Sequence, residues 1–313
     1  MNGSSLNRRE FSGLCARLGS SLLPINAMIA PLSFDPVRAA DTPASNDGRR
    51  TVKFRDGTIV PALGQGSMRL SQEAHAEALR NGIALGMTVI DTAELYGNEE
   101  FIGRVVADQR DRVFLVSKVL PKNAAGDGIA RACAASLTRL GTDHLDLYLL
   151  HWRESDTDLR AVVAAFESLR ATGKIRAWGV SNFSMQDMEE LFRVPHGDHC
   201  AANQVRYNLG DRSIESRLLP WCERRGMPLM AYSPLGGGGS NLLRDPTLAG
   251  IADAHRCSAA AIALAWVIRS GNVIAIPESG SPVHVRENAV ALSLTLTPQE
   301  LQTLRAVRPL PQR

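Results

Sequence analysis

A (β/α)8 barrel with an N-terminal β-hairpin, preceded by a signal-like extension, is the fold this sequence predicts. Three observations carry that expectation. From residue 51 onward, eight short apolar runs alternate with eight helical patterns. The runs are apolar throughout instead of at every second residue, as in a parallel sheet covered by helices. The competing doubly wound sheet calls for a third glycine in the turn after its first strand. Gly64-Gln65-Gly66-Ser67-Met68-Arg69 lacks it.

The elements follow in order. Residues 51–54 and 58–62 flank Arg55-Asp56-Gly57, a tight hairpin signal. Strands are expected over 62–66, 87–91, 113–118, 145–151, 177–181, 202–205, 228–233 and 273–277. Helices are expected over 71–85, 98–109, 127–140, 156–172, 184–193, 214–225, 258–270 and 284–291. A chain of 313 residues accommodates one such barrel over 51–313, with 41–50 as a polar linker.

Residues 1–40 read differently. Asn7-Arg8-Arg9-Glu10-Phe11 places paired arginines before a large apolar residue, close to the twin-arginine export pattern. A mildly apolar stretch follows, and Val37-Arg38-Ala39-Ala40 resembles a small-residue cleavage site. Arg17 interrupts the apolar stretch and Pro24 and Pro31 would break a helix there, so a plain N-terminal extension is the other reading. No uninterrupted run approaches the ~20 apolar residues of a membrane span, so no stable membrane anchor is expected. The expectation is periplasmic export with the twin-arginine translocase as a transient partner; the alternative is a cytoplasmic protein.

Composition narrows the class. At 44% hydrophobic and 21% charged residues the chain is globular. A net charge of +3 with no basic block argues against nucleic acid as a partner. Cys15, Cys133, Cys200, Cys222 and Cys257 lack CxxC or zinc-like spacing, so neither a metal site nor a disulfide framework is expected. Lysine is scarce: Lys53, Lys118, Lys122 and Lys174 stand among many arginines. A lysine at the end of an apolar strand then asks for a chemical reason.

Barrel chemistry sits at the C-terminal ends of strands. Reading those ends gives Asp91, Lys118, His151, Ser181-Asn182, Gln204 and Tyr232-Ser233, with Tyr96 in the loop five residues after Asp91. A lysine beside a phenol favours the phenolate, and a carboxylate keeps that lysine charged and placed. A tyrosine tuned in this way, next to a histidine, is a proton donor to a substrate oxygen.

These residues lie in recognisable strings. Asp91-Thr92-Ala93-Glu94-Leu95-Tyr96-Gly97, Val116-Ser117-Lys118 and Leu149-Leu150-His151-Trp152 resemble the successive catalytic motifs of the aldo-keto reductases. Gly179-Val180-Ser181-Asn182-Phe183, Asn203-Gln204-Val205 and Ala231-Tyr232-Ser233-Pro234-Leu235-Gly236 resemble the nicotinamide-binding motifs of that family, in the same order. The resemblance covers roughly 51–308. It implies an NAD(P)H-dependent oxidoreductase that reduces aldehydes, ketones, dicarbonyls or sugars. Tyr96 is then the general acid, Lys118 depresses its pKa, Asp91 pairs with Lys118, and His151 orients the carbonyl oxygen. Ser181, Asn182 and Gln204 hold the carboxamide and Tyr232 stacks on the ring. Ser233, Leu235 and Gly236 line the pyrophosphate path, and Glu287 and Asn288 contact adenine. Met68 and Trp152 wall the substrate pocket. A monomer is the family default.

Two departures from the family pattern bear on the cofactor, NADPH or NADH. Ile276-Pro277-Glu278-Ser279 stands where the resemblance leads one to expect Ile-Pro-Lys-Ser, and His284 stands where an arginine is usual. Glu278 opposes a 2′-phosphate and suits bare ribose hydroxyls, which leans toward NADH, while Arg286 is a cation close by. Met68 replaces a common tryptophan and makes the pocket wall adaptable. The alternative function is a non-turnover nicotinamide-binding sensor or regulatory subunit on the same barrel.

Overall fold

The structure is a computed structural model that describes residues 48–238 and 240–307. The twin-arginine-like motif and its cleavage-like site lie outside the described residues. Eight parallel strands form the central sheet: β3 (Gln65–Gly66), β4 (Val89–Asp91), β5 (Phe114–Val119) and β6 (Leu145–Leu150), then β7 (Ile175–Ser181), β8 (Asn203–Arg206), β9 (Leu229–Tyr232) and β10 (Val273–Ala275). They pair in chain order, and parallel bridges Leu63↔Ala275 and Gly66↔Glu278 close the first strand onto the last. The barrel is therefore complete.

An antiparallel hairpin, β1 (Thr51–Lys53) and β2 (Ile59–Pro61), precedes it. Val52, Phe54 and Val60 are buried, and Phe54 stacks on Phe114 at the start of β5 with ring centroids 5.5 Å apart. Arg55 at its tip donates to the Cys200 carbonyl ahead of β8 at 3.1 Å. The hairpin thus covers the N-terminal floor of the barrel and leaves the opposite mouth clear.

The outer layer begins with α1 (Ala76–Ala84), α2 (Glu99–Val106), α3 (Gly128–Leu140), α4 (Leu159–Ala171) and α5 (Met185–Leu191). It continues with α6 (Leu218–Glu223), α7 (Pro246–His255), α8 (Ala259–Val267), α9 (Pro282–Ala289) and α10 (Pro298–Val307). Strand residues alternate between the interior and this layer. On β6 and β7, Tyr148 and Trp178 face outward onto Phe166 of α4, with centroids at 5.8 and 5.4 Å.

Two helices depart from the sequence expectation. Neither α7 nor α10 is foreseen by the apolar periodicity. The first starts at Asp245-Pro246, where the Asp245 carboxylate accepts from Thr247 N at 2.9 Å and proline fills the first helical turn. A proline so close to a glycine run reads as a turn until its cap is visible. The expected helix over 214–225 is also shorter, a 3-10 turn Ser213–Ser216 followed by α6. Its Pro220 is tolerated because it lies in the first turn of α6.

Candidate active site

The mouth gathers its polar side chains because each stands at or beside the end of an apolar strand. Asp91 ends β4, Lys118 is next to last on β5, and His151 directly follows β6. On β5 the alternation sends Ser117 outward, where its hydroxyl donates to Glu99 at 2.6 Å, and Lys118 inward. Lys118 is wholly buried. Its ammonium donates to Asp91 Oδ2 at 2.6 Å, to the Thr92 carbonyl at 2.9 Å and to Tyr96 Oη at 3.2 Å. Three donors and three acceptors leave this lysine fully satisfied.

Tyr96 is delivered by a 3-10 turn, Glu94–Tyr96, that Gly97 ends in the left-handed region at φ 64°. The turn is anchored at both ends. The Glu94 carboxylate accepts from Leu120 N at 2.5 Å and from Asn123 Nδ2 at 3.0 Å. Asn98 accepts from Thr92 Oγ1 at 2.7 Å and donates to the carbonyls of Ser67 and Leu70 at 2.6 and 2.8 Å. Asn98 therefore ties the tyrosine loop to the segment that carries Met68.

The electrostatics have two distinct causes. Burial pushes the Lys118 ammonium below the ordinary lysine range, and the Asp91 carboxylate pulls it back up. Burial, with the Lys118 charge second, holds His151 well below the ordinary histidine value, so its imidazole is neutral at pH 7. The Tyr96 and His151 rings meet edge to face at 5.8 Å, and Trp152 lies 4.9 Å from His151. A charged lysine, a phenol and a neutral imidazole share one opening.

The second group of expected residues forms a cradle beside it. Ser181 Oγ donates to the Gln204 carbonyl at 2.9 Å. Asn182, at φ 61°, donates to the His151 carbonyl at 3.0 Å and accepts from Tyr232 Oη at 2.9 Å. Ser233 is also left-handed, at φ 50°, so the backbone turns sharply after both β7 and β9. Gly236 and Gly237 follow with φ of 94° and 76°, and Arg206 at the end of β8 donates to the Gly236 carbonyl at 3.3 Å. Leu235 packs partly buried against the core.

The last group lies at the barrel seam. Glu278 is engaged rather than open: its carboxylate accepts from Arg69 N at 3.0 Å and from Arg69 Nε at 2.6 Å. Ser279 bonds within its own turn to Ser281, Asn288 is buried, and Glu287 is half-buried on α9. His284 and Arg286 are exposed, and Arg286 makes no ion pair among the described residues.

Sequence reading missed Asn98, Glu94, Arg206 and the Arg69–Glu278 pair. Glu94 stands inside the string that carries Tyr96 and Asn98 directly follows that string, and only their bonds reveal a supporting role. Glu99, also missed, is a buried carboxylate on α2 held by Ser117, Ser136 and Arg139. A groove of about 660 Å³ between α3 and α4, lined by Cys133, Leu137, Leu169 and Lys174, opens on the outer wall toward the floor end and is not part of this site. Cys133, Cys200 and Cys222 are buried free thiols, and Cys257 is a half-buried one. Among the described residues no group of three or more His, Cys, Asp or Glu side chains is placed to hold a metal ion.

The residues present fit a nicotinamide cofactor. The Gln204 amide oxygen carries no hydrogen bond among the described residues, Tyr232 offers a half-buried ring face, and the Gly236-Gly237 backbone admits close approach. A closed parallel barrel with a lysine-backed tyrosine and a neutral histidine at its mouth defines a class, the oxidoreductases that protonate a carbonyl oxygen as hydride arrives. The family model for the aldo/keto reductase family matches residues 61–309. The chain is 47% identical over 275 residues to the methylglyoxal reductase YeaE of Escherichia coli (strain K12), covering 84% of this chain and 96% of that one. It is 34% identical over 261 residues to the glyoxal reductase of Bacillus subtilis (strain 168), covering 82% and 92%. An aldo/keto reductase from Klebsiella pneumoniae, solved in complex with NADP and acetate, superposes with a TM-score of 0.81 at 46% identity, covering 85% of this chain and 97% of that one. This chain belongs to the aldo/keto reductase family. It is an NAD(P)-dependent oxidoreductase that reduces carbonyls.

Proposed function

We propose that this enzyme reduces small dicarbonyls and aldehydes, with Tyr96 as the general acid. The observation that carries the assignment is the 3.2 Å bond from the Lys118 ammonium to the Tyr96 hydroxyl. A cation at that distance stabilises the phenolate left after proton transfer, and so eases the transfer itself. His151, neutral and buried, has no proton to spare at pH 7 and serves instead as a hydrogen-bond donor that orients the substrate oxygen. The nicotinamide, when bound, supplies the hydride. Asp91 holds Lys118 in place, while Ser181 and Asn182 present a rigid polar edge for the carboxamide and Tyr232 a flat one for the ring. Ser233, Leu235 and Gly236 lie on the path for the pyrophosphate, with Glu287 and Asn288 toward adenine.

Substrate size follows from the walls. Met68 and Trp152 are half-buried at the mouth, one adaptable and one rigid. The names of the Escherichia coli and Bacillus subtilis relatives, methylglyoxal reductase and glyoxal reductase, support small dicarbonyls as the substrate class. For the cofactor we propose use of NADPH with NADH accepted. Glu278 and His284 weaken a phosphate site, Arg69 offsets the Glu278 charge, and Arg286 remains available to a phosphate. The NADP complex of the Klebsiella pneumoniae structure supports the first half of that reading. Initial rates of residues 41–313 with methylglyoxal, glyoxal and simple aldehydes, NADH and NADPH side by side, test both. Clear cofactor binding without turnover on this panel would favour the sensor alternative, and absence of NADH turnover would end the second half.

We also propose that residues 1–40 direct twin-arginine export, a route that carries folded protein and so can carry a bound cofactor, and that 41–50 link them to a monomeric barrel. Among the described residues no helix is long and apolar enough to cross a membrane. Sequencing the N-terminus of the protein from its native host decides the matter: a start near Asp41 supports export, and an intact Met1 places the enzyme in the cytoplasm.

A further inference from the structure

Lys118 engages only one oxygen of Asp91. The other, Oδ1, accepts a hydrogen bond from Gln204 Nε2 at 2.7 Å. Both residues are buried, and they are 113 positions apart in sequence. Asp91 is on β4 and Gln204 on β8, four strands around a ring of eight, so the bond crosses the barrel interior instead of following the sheet. Its amide nitrogen also faces Met230 Sδ at 3.9 Å, while its amide oxygen keeps no hydrogen bond among the described residues.

We propose that Gln204 is a positioning residue that acts through Asp91. Its N–H fixes the carboxylate plane toward Lys118 and draws charge away from it, so that more of the ammonium field reaches the Tyr96 phenol. The same amide keeps its oxygen free for the nicotinamide carboxamide, which joins the cofactor cradle to the proton relay through one side chain. The inference rests on the reading of Tyr96 as the acid. The charged and titratable groups that face the relay are Asp91 from β4, Lys118 from β5, Tyr96 from its turn, His151 after β6, and Glu99 from the far side of β5. Gln204 reaches the phenol by way of the first two.

The test uses the cofactor-free enzyme as well as turnover. The chain has four tyrosines, and burial pushes Tyr148 and Tyr207 far up, so the Tyr96 contribution to tyrosinate absorbance in a pH titration is taken as the part lost in Tyr96→Phe, with Tyr232 common to both. Gln204→Met should raise the Tyr96 midpoint, and with it the alkaline limb of kcat/KM, by roughly half a pH unit. In an Asp91→Asn background, where the carboxylate charge is gone, the same change should move the midpoint much less. Equal shifts in both backgrounds, or no shift in a folded Gln204→Met, overturn the proposal. Should that variant not fold, Gln204→Glu keeps the side chain's length and, once ionised, adds charge beside Asp91. Its Tyr96 midpoint must then lie above wild type, and an unchanged midpoint overturns the proposal equally. If Tyr96→Phe retains turnover, the general-acid reading fails by itself, and the titration still reports on the coupling.

Discussion

Two ionic clusters sit at opposite ends of the barrel. At the mouth, Asp91 is shared between Lys118 and Gln204, and the lysine turns its last donor to a phenol. At the floor, Asp146, second on β6, has its carboxylate shared among Arg110 at 3.0 Å, Arg176 at 3.0 Å and the Leu115 amide at 2.9 Å. Both carboxylates are nearly fully buried, so burial alone does not separate them. The cation does. Lysine is a compact charge whose pKa burial can move, whereas arginine stays charged and holds carboxylates through a planar fork. The floor's Arg110 also caps the Val113 and His144 carbonyls, a strut between chain segments. On the proposed reading the mouth cluster serves proton transfer, whereas the floor cluster is a strut, in line with the division of labour between the two faces of such barrels.

The sharpest way to break this comparison is Tyr96→Phe. The phenol oxygen is the one part of the mouth cluster without a structural duty toward Asp91. Its removal should lower kcat/KM by about 10²–10⁴-fold while cofactor affinity and thermal midpoint hold. A loss of under tenfold would make the mouth a second strut. Lys118→Met comes next and mixes the two roles. It strands Asp91 in the interior, so a fall in activity should be joined by about 3 kcal/mol of lost stability in urea unfolding.

How much of this was legible beforehand follows from geometry. Asp91, Lys118, His151, Ser181, Gln204 and Tyr232 each stand at the end of an apolar run, and a barrel brings all strand ends to one rim, so their meeting needs no knowledge of packing. The bond from Gln204 to Asp91 was not legible, because it depends on which strands face each other across the interior. Glu278 reads in sequence as an open negative charge, yet Arg69 from the opposite edge of the seam occupies it, with side-chain exposures of 71% and 17%. Asp146 looked like any polar residue in the run 145–151, since its three partners come from three separate segments. Helix α7 stayed hidden because Asp-Pro signals a turn and a helix start equally well.

The floor supplies the converse test. Asp146→Ala removes the acceptor for two arginines and a buried amide, of which Arg176 is already mostly solvated. It should cost about 2 kcal/mol of stability, with kcat/KM within twofold of wild type. A large loss of activity at preserved stability would mean that strain passes along β6 to His151, and the two ends would no longer be separable.

The smallest expected effect is the pH dependence contributed by the mouth's histidine. Burial and then the Lys118 charge hold the folded pKa of His151 well below its unfolded value. The unfolded chain therefore binds a proton that the folded one refuses, and stability is complete above about pH 6.5 and falls as pH drops beneath it. Over the first unit below that point the loss should be about 1 kcal/mol. His151→Gln keeps a hydrogen-bond donor but cannot titrate, so its urea midpoints should decline less between pH 6.5 and 5.5. The floor's arginines remain charged throughout this window and contribute no slope. Parallel curves for wild type and His151→Gln would show that the imidazole is not held neutral by its surroundings, and the assignment of proton donation to Tyr96 alone would lose its electrostatic basis.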